Sequence, residues 1–164
     1  MPTKADEPSQ AKNSALTLLE QDHREVEAYF EEYETAQGAA KEAVALKICL
    51  ALQVHAQIEE EIFYPAVRGV IQEHELLDEA IVEHAAAKQL IVEIEVMEVG
   101  DQLRDAKVKV LEEQIRHHVQ EEEGELFPQI EEGKLDLESL GREMAALKQE
   151  LLKEVAEGGE PMTA

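Results

Sequence analysis

The sequence has no tryptophan, three tyrosines and three phenylalanines, and a single cysteine among its 164 residues. Aromatics make up only 4%, too few for the core of a typical sheet sandwich. Long stretches rich in Ala, Leu, Glu, Lys and Gln favour helices instead. Cys49 has no partner for an internal disulfide, which fits a reducing compartment. Cations are scarce too: 15 Lys and Arg stand against 38 Asp and Glu, a net charge of -23. Such a surface repels phosphate backbones and anionic lipid, so neither nucleic acid nor membrane is an expected partner. No apolar run approaches a transmembrane length. The opening MPTKADEPSQAKNS lacks the apolar core of a signal peptide. The expectation is a soluble, cytoplasmic protein.

What is present is helical periodicity. Residues 1–13 are polar and read as a disordered tail. Ser14 is placed to cap a first helix carrying Leu16, Leu19, Val26, Phe30 and Tyr33, which ends at Gln37-Gly38. A second helix runs from about Ala39 to Tyr64 on Val44, Ile48, Leu52, Ile58 and Ile62, with Pro65 near its end. The third spans about Glu73 to Val99 on Leu77, Ile81, Ile91 and Ile94, stopping at Gly100-Asp101. The fourth carries Leu103, Val108, Leu111, Ile115 and Leu126, up to Pro128. After EEGKLD, residues 137–156 form a fifth amphipathic helix through Leu140, Met144, Leu147, Leu151 and Val155. Residues 158–164 read as a frayed tail. The predicted fold is all-α: one domain over 14–157, an antiparallel up-down four-helix bundle with an additional C-terminal helix.

Polar residues interrupt these stripes at one level. The second helix steps inward at 44, 48, 52, 55, 59 and 62, so His55 and Glu59 face the core. The fourth steps at 108, 111, 115, 118, 122 and 126, which turns His118 and Glu122 inward. His23 lies on the stripe of the first helix, and His84 on that of the third, read as 77, 81, 84, 88 and 91. An isolated inward histidine is more often a satisfied core residue than a ligand. Four of them with two inward glutamates would each need a buried partner. The arrangement also repeats. HAQIEEEIFYP at 55–65 matches HVQEEEGELFP at 118–128, with His first, Glu fifth, an aromatic tenth and Pro eleventh. Each is preceded by one inward histidine on the helix before it. A His and a Glu four apart lie one turn apart on one helix face. Doubling that unit about a bundle axis brings four imidazoles and two carboxylates together, the donor set of a dinuclear metal site.

This pattern resembles the hemerythrin-like, HHE cation-binding proteins over about residues 14–132. The resemblance implies that His23 and His55 hold one iron and His84 and His118 the other, with Glu59 and Glu122 bridging. It implies a non-haem diiron centre, with manganese or zinc as alternatives, that takes oxygen, peroxide or nitric oxide. Mixed imidazole and carboxylate donors suit iron or manganese. The second functional reading is a non-catalytic module that stores or senses iron or oxygen and acts through a protein partner. Ferritin-like carboxylate proteins repeat Glu-x-x-His instead, and only Glu20-Gln-Asp-His23 has that form here. The chain departs from oxygen-carrying hemerythrins on the third helix, where they have a second histidine one turn on and this chain has Lys88. Each metal would then be short of one donor, which suits reaction with a small oxidant better than reversible carriage. Lys88 either approaches the metal as a neutral amine or snorkels to the surface.

Other candidates weigh less. His74-Glu75-Leu-Leu-Asp78 imitates a zincin motif without its second histidine. His117 points away from the inward stripe. Glu60, Glu61, Glu121 and Glu123 read most simply as a solvated face, although one could supply a missing donor. Tyr29, Tyr33 and Tyr64 read as core-edge packing, and Cys49 as structural.

Overall fold

The computed structural model describes residues 14–158. The tail expected at 1–13, and residues 159–164 of the tail expected at the other end, lie outside the described residues. Every regular element among the described residues is helical. The order is α1 (Ala15–Thr35), α2 (Gly38–Ile58), a π-helical turn (Glu59–Phe63), α3 (Tyr64–Val67), α4 (Glu75–Val96), α5 (Arg104–Glu121), a second π-helical turn (Glu122–Leu126), α6 (Phe127–Glu132) and α7 (Leu137–Ala156). Since α2 continues through its π turn into α3, and α5 into α6, the chain makes four long rods and then a fifth. α1 packs along α2 and α4 along α5, while α7 lies against α1 and α2. The predicted four-helix bundle with a C-terminal addition is therefore the observed architecture. No helix among the described residues is long and apolar enough to cross a membrane.

The helix ends differ from expectation in instructive ways. Ser14 sits at the N-cap of α1 with extended backbone, but its side chain makes no capping bond. Asp136 does cap α7, accepting from the Ser139 amide at 3.0 Å. Gly100, at φ +88, turns the chain between α4 and α5 in a region that L side chains rarely enter. Neither Pro65 nor Pro128 ends its rod. Proline removes a helical donor and crowds the carbonyl four residues back; here each proline stands at the start of an α segment immediately after a π turn. The widened turn accommodates it, and the rods continue to Val67 and Glu132.

The inward stripe of α4 is Leu77, Ala80, His84, Ala87, Ile91 and Ile94. Ile81, expected inside, is 41% exposed, and Ala87 rather than Lys88 continues the buried line. Small alanines carry the stripe where hydrophobicity alone favours the neighbouring isoleucine. Leu103, placed on the fourth stripe, precedes α5 and is exposed. Ile62, also placed on a stripe, is only half-buried, and Phe63 and Tyr64 after it are buried instead; the other stripe residues are buried or half-buried as read.

The buried apolar side chains fall into two clusters. One joins Leu16, Leu19, Ile58, Phe63, Leu77 and Phe127, with Met144 and Leu151 of α7. The other joins Val26, Phe30, Ile48, Leu52, Ile91 and Leu111. Along each of the first four rods the switch between them comes at or beside the histidine: between Leu19 and Val26, Leu52 and Val54, Ala80 and Ala87, and Leu111 and Leu126. A polar layer thus lies across the middle of an otherwise apolar bundle.

Candidate metal centre

The six residues singled out by sequence meet in that layer. His23, His55, Glu59, His84, His118 and Glu122 are all at most 7% exposed, with Glu59 at 0%. They form two groups of closely spaced donors, His23, His55 and Glu122 in one and Glu59, His84 and His118 in the other. Each carboxylate reaches across both groups. Glu59 Oε1 lies 2.8 Å from His55 Nε2 and 3.4 Å from His84 Nε2. Glu122 places Oε1 3.3 Å from His23 Nε2 and Oε2 3.1 Å from His118 Nε2. Despite these distances, His23 Nε2, His55 Nε2, both Glu59 oxygens and Glu122 Oε1 have no hydrogen-bond partner. Their lone pairs and protons are not aligned on one another. Buried polar atoms without partners are costly, and here they converge from three rods, with His84 Nε2 of the fourth beside them. Nitrogen and carboxylate donors so gathered suit cations, so this residue set fits a metal pair.

A second ring of carboxylates, which the sequence reading left as solvated surface or did not name, surrounds the first. His55 Nδ1 meets Asp22 Oδ2 at 3.0 Å, and His118 Nδ1 meets Glu83 Oε1 at 3.0 Å. His23 Nδ1 meets Glu123 Oε2 at 2.6 Å, and His84 Nδ1 stands 3.4 Å from Glu60 Oε2. All four imidazoles therefore present Nε2 inward and Nδ1 to an outer carboxylate. Such partners fix the tautomer and orientation of ligating histidines and raise their basicity. The ring obeys the sequence repeat: Asp22 and Glu83 each precede a histidine, and Glu60 and Glu123 each follow an inward glutamate. Of the glutamates read as a solvated face, Glu61 is exposed and Glu121 half-buried.

The answer on Lys88 is that it turns outward to Glu60, with Nζ at 3.0 and 2.7 Å from its two oxygens. It steadies the carboxylate behind His84 and gives no evidence of a direct donor. Lys148 of α7 holds Asp22 at 2.6 Å, and Arg24 pairs with Glu123.

The π turns add one further residue. In an α-helix, position 64 would lie about 140° round the axis from Glu59. The π turn closes Glu59 C=O onto the Tyr64 amide, so Tyr64 comes beneath Glu59 and faces inward. Its hydroxyl donates to Glu122 Oε2 at 2.9 Å and lies 3.3 and 3.4 Å from His84 Nε2 and His118 Nε2. Tyr64 is thus in the site, not at the core edge. The matching residue of the second repeat is Phe127, which has no hydroxyl, so the two halves differ chemically. Tyr64→Phe leaves Glu122 Oε2 short of a donor. The metal-free variant is expected to lose about 1–2 kcal/mol of stability, read as a lower urea midpoint; an unchanged midpoint would contradict this hydrogen bond.

The electrostatics of the layer are those of an ion-paired cluster. Burial pulls the His55 pKa down, but Glu59 and Asp22 outweigh it and hold it at about 10. Burial likewise opposes protonation of His118, which Glu122, Glu59 and Glu83 raise well above the usual imidazole range. Burial would raise Glu59, yet His55, His118 and His84 keep it well below the carboxylate range. Burial, with Glu122 and Glu59, pushes the Tyr64 phenol up, so it keeps its proton.

On the Val26 and Ile91 side of the layer is a cavity of about 30 Å³. All four histidines border it, and Val26, Leu52, Ala87, Ile91 and Val119 supply its apolar wall. It is large enough for a water-sized molecule and too small for an organic substrate.

A family model described as hemerythrin HHE cation binding domain matches residues 14–130. The fold is also similar to the crystal structure of a hemerythrin HHE cation binding domain-containing protein from Mycobacterium kansasii, with a TM-score of 0.75 at 20% identity. That similarity covers 90% of this chain and 94% of the other. The comparison with curated proteins returned no match.

Proposed function

The chain belongs to the hemerythrin HHE cation-binding family, and from that premise we propose that it is a non-haem diiron protein that binds or reacts with oxygen, peroxide or nitric oxide. The observation that carries this reading is the set of inward donor atoms without partners, bordered by a cavity of diatomic size. In this reading His23 and His55 hold one ion and His84 and His118 the other. Glu59 and Glu122 would serve both ions, because each carboxylate already reaches histidines of both halves. Mixed nitrogen and oxygen donors suit iron or manganese better than zinc, and the family likeness favours iron of the two. Bound iron would supply one-electron redox chemistry that no side chain here offers.

The chain's own residues do the rest. Asp22, Glu60, Glu83 and Glu123 fix the imidazole planes from behind. The apolar cavity wall excludes bulk water and larger molecules. Tyr64 holds a proton at Oη, 2.9 Å from Glu122 Oε2, on one half only. Because Lys88 is engaged with Glu60, α4 would offer no second nitrogen beside His84 to a bound ion. A donor position is thereby left for a small ligand, which favours reaction over stable carriage.

Stopped-flow mixing of the iron-loaded protein with hydrogen peroxide tests the choice. The expected result is catalytic loss of peroxide over many turnovers. A single stoichiometric change in the spectrum, with peroxide remaining, would instead favour the storage or sensing reading.

A further inference from the structure

Beyond the central layer, among the described residues, one other group of side chains able to bind a metal has its donor atoms within 4.8 Å of one another: Glu83, His117 and Glu121. His117 Nε2 lies 3.1 Å from Glu121 Oε1, one turn on along α5, and 3.5 Å from Glu83 Oε2 on α4. His117 is 62% exposed at its side chain, and the two carboxylates are partly so. We propose that these three residues form a solvent-facing site for a divalent first-row transition-metal cation, which captures the ion and passes it to the buried centre between α4 and α5.

Three observations lead there. The first is charge. Of the four outer carboxylates, Asp22, Glu60 and Glu123 are each neutralised by a lysine or arginine, namely Lys148, Lys88 and Arg24. Among the described residues Glu83 has only imidazole partners, and Glu121 has only His117. This corner has excess negative charge and a nitrogen donor.

The second is the broken repeat. By the match of 55–65 to 118–128, His117 and Glu121 correspond to Val54 and Ile58. Those two are buried in the apolar cluster that includes Met144 and Leu151 of α7. The first half is covered by the fifth helix; the second half leaves the same face open and places donor side chains on it.

The third is adjacency. A crevice of about 10 Å³ between α4 and α5 is lined by residues of both groups, Glu83 and Glu121 with His118 and Glu122, and by Leu76 and Ala80. Its outer carboxylates belong to the surface group, and its inner residues to the buried centre. Glu83 touches both, with Oε2 toward His117 and Oε1 on His118 Nδ1. An ion held at Glu83 and Glu121 is thus next to Glu122. Imidazole with two carboxylates is a moderate donor set for such cations, suited to capture and release. Capture at the surface is independent of the central reading, whereas delivery rests on it.

Equilibrium dialysis against Zn²⁺ of the full chain and its His117→Ala and Glu121→Gln variants tests capture, since both positions lie outside the core. Three ions per wild-type chain and two per variant are expected. Two in all three proteins would overturn the surface site while leaving the buried pair standing. One in the wild type and none in the variants would support the surface site and contradict the buried pair. Delivery is read from the rate at which the Co²⁺ absorption of the buried centre grows. Capture sites raise local ion concentration, and loading of His117→Ala is expected to be about ten-fold slower with the same final amplitude. An unchanged rate would overturn delivery.

Discussion

Anaerobic loading with iron(II) is expected to raise the melting temperature by about 20 °C over the metal-free protein. A ligand present at about a thousand times its dissociation constant stabilises the folded state by about 4 kcal/mol. Two such ions give about 8 kcal/mol, and at this chain length each kcal/mol moves the midpoint by about 2–4 °C. The structure explains why the gain falls on the folded state alone. The donors come from four separate rods, His23 on α1, His55 on α2, His84 on α4 and His118 on α5. An unfolded chain cannot assemble them. Without metal, the layer relies on protonated imidazole facing carboxylate. The His55 pKa of about 10 lies above the ordinary 6.5, so its contribution to the metal-free fold is full below pH 6.5 and fades as pH rises through 10. Metal must displace that proton; the gain in melting temperature therefore shrinks as pH falls. Coincident melting curves with and without metal would mean that the buried donors hold no ion.

Glu59→Gln is expected to abolish tight binding of both ions together, with affinity reduced by more than about a hundred-fold, beyond the range of an outer-partner loss. Glu59 has no exposed surface and lies against His55, His84 and His118. The amide keeps the volume and loses the charge on which three imidazoles depend. Uncompensated buried charge costs about 3–5 kcal/mol, so the metal-free variant is also expected to melt earlier. Asp22→Asn is the contrast. It touches the outward nitrogen of His55 and the Lys148 ammonium but no inward donor atom, and should weaken binding about 10- to 100-fold while two ions still bind at saturation. Calorimetric titration separates these outcomes, and loss of a single ion in Glu59→Gln would argue against bridging.

The inner six residues were legible because histidine and glutamate at core positions are rare, and because the repeat presented the same unit twice. The outer ring was not, since Glu60 and Glu123 look like surface in a chain with 38 acidic residues. The same repeat nevertheless contained them, pairing Asp22 with Glu83 and Glu60 with Glu123. Tyr64 was hidden by a different cause. Its inward direction depends on a π turn, and a 3.6-residue period places it wrongly; Pro65 and Pro128, each six residues after an inward glutamate, are the available hint. Lys88 was misplaced on the stripe because Ile81 outweighed Ala80, shifting the inferred phase of α4 by one residue. Where side chains pack at the ordinary period the sequence sufficed, and where a backbone irregularity or a second ring of contacts decided the outcome it did not.

The central claim is that one chain holds two ions in a single bridged site. Elemental analysis of the protein after anaerobic iron(II) loading and desalting tests it most directly. Two tightly held iron ions per chain are expected, both lost together in Glu59→Gln. One ion or fewer per chain would contradict it.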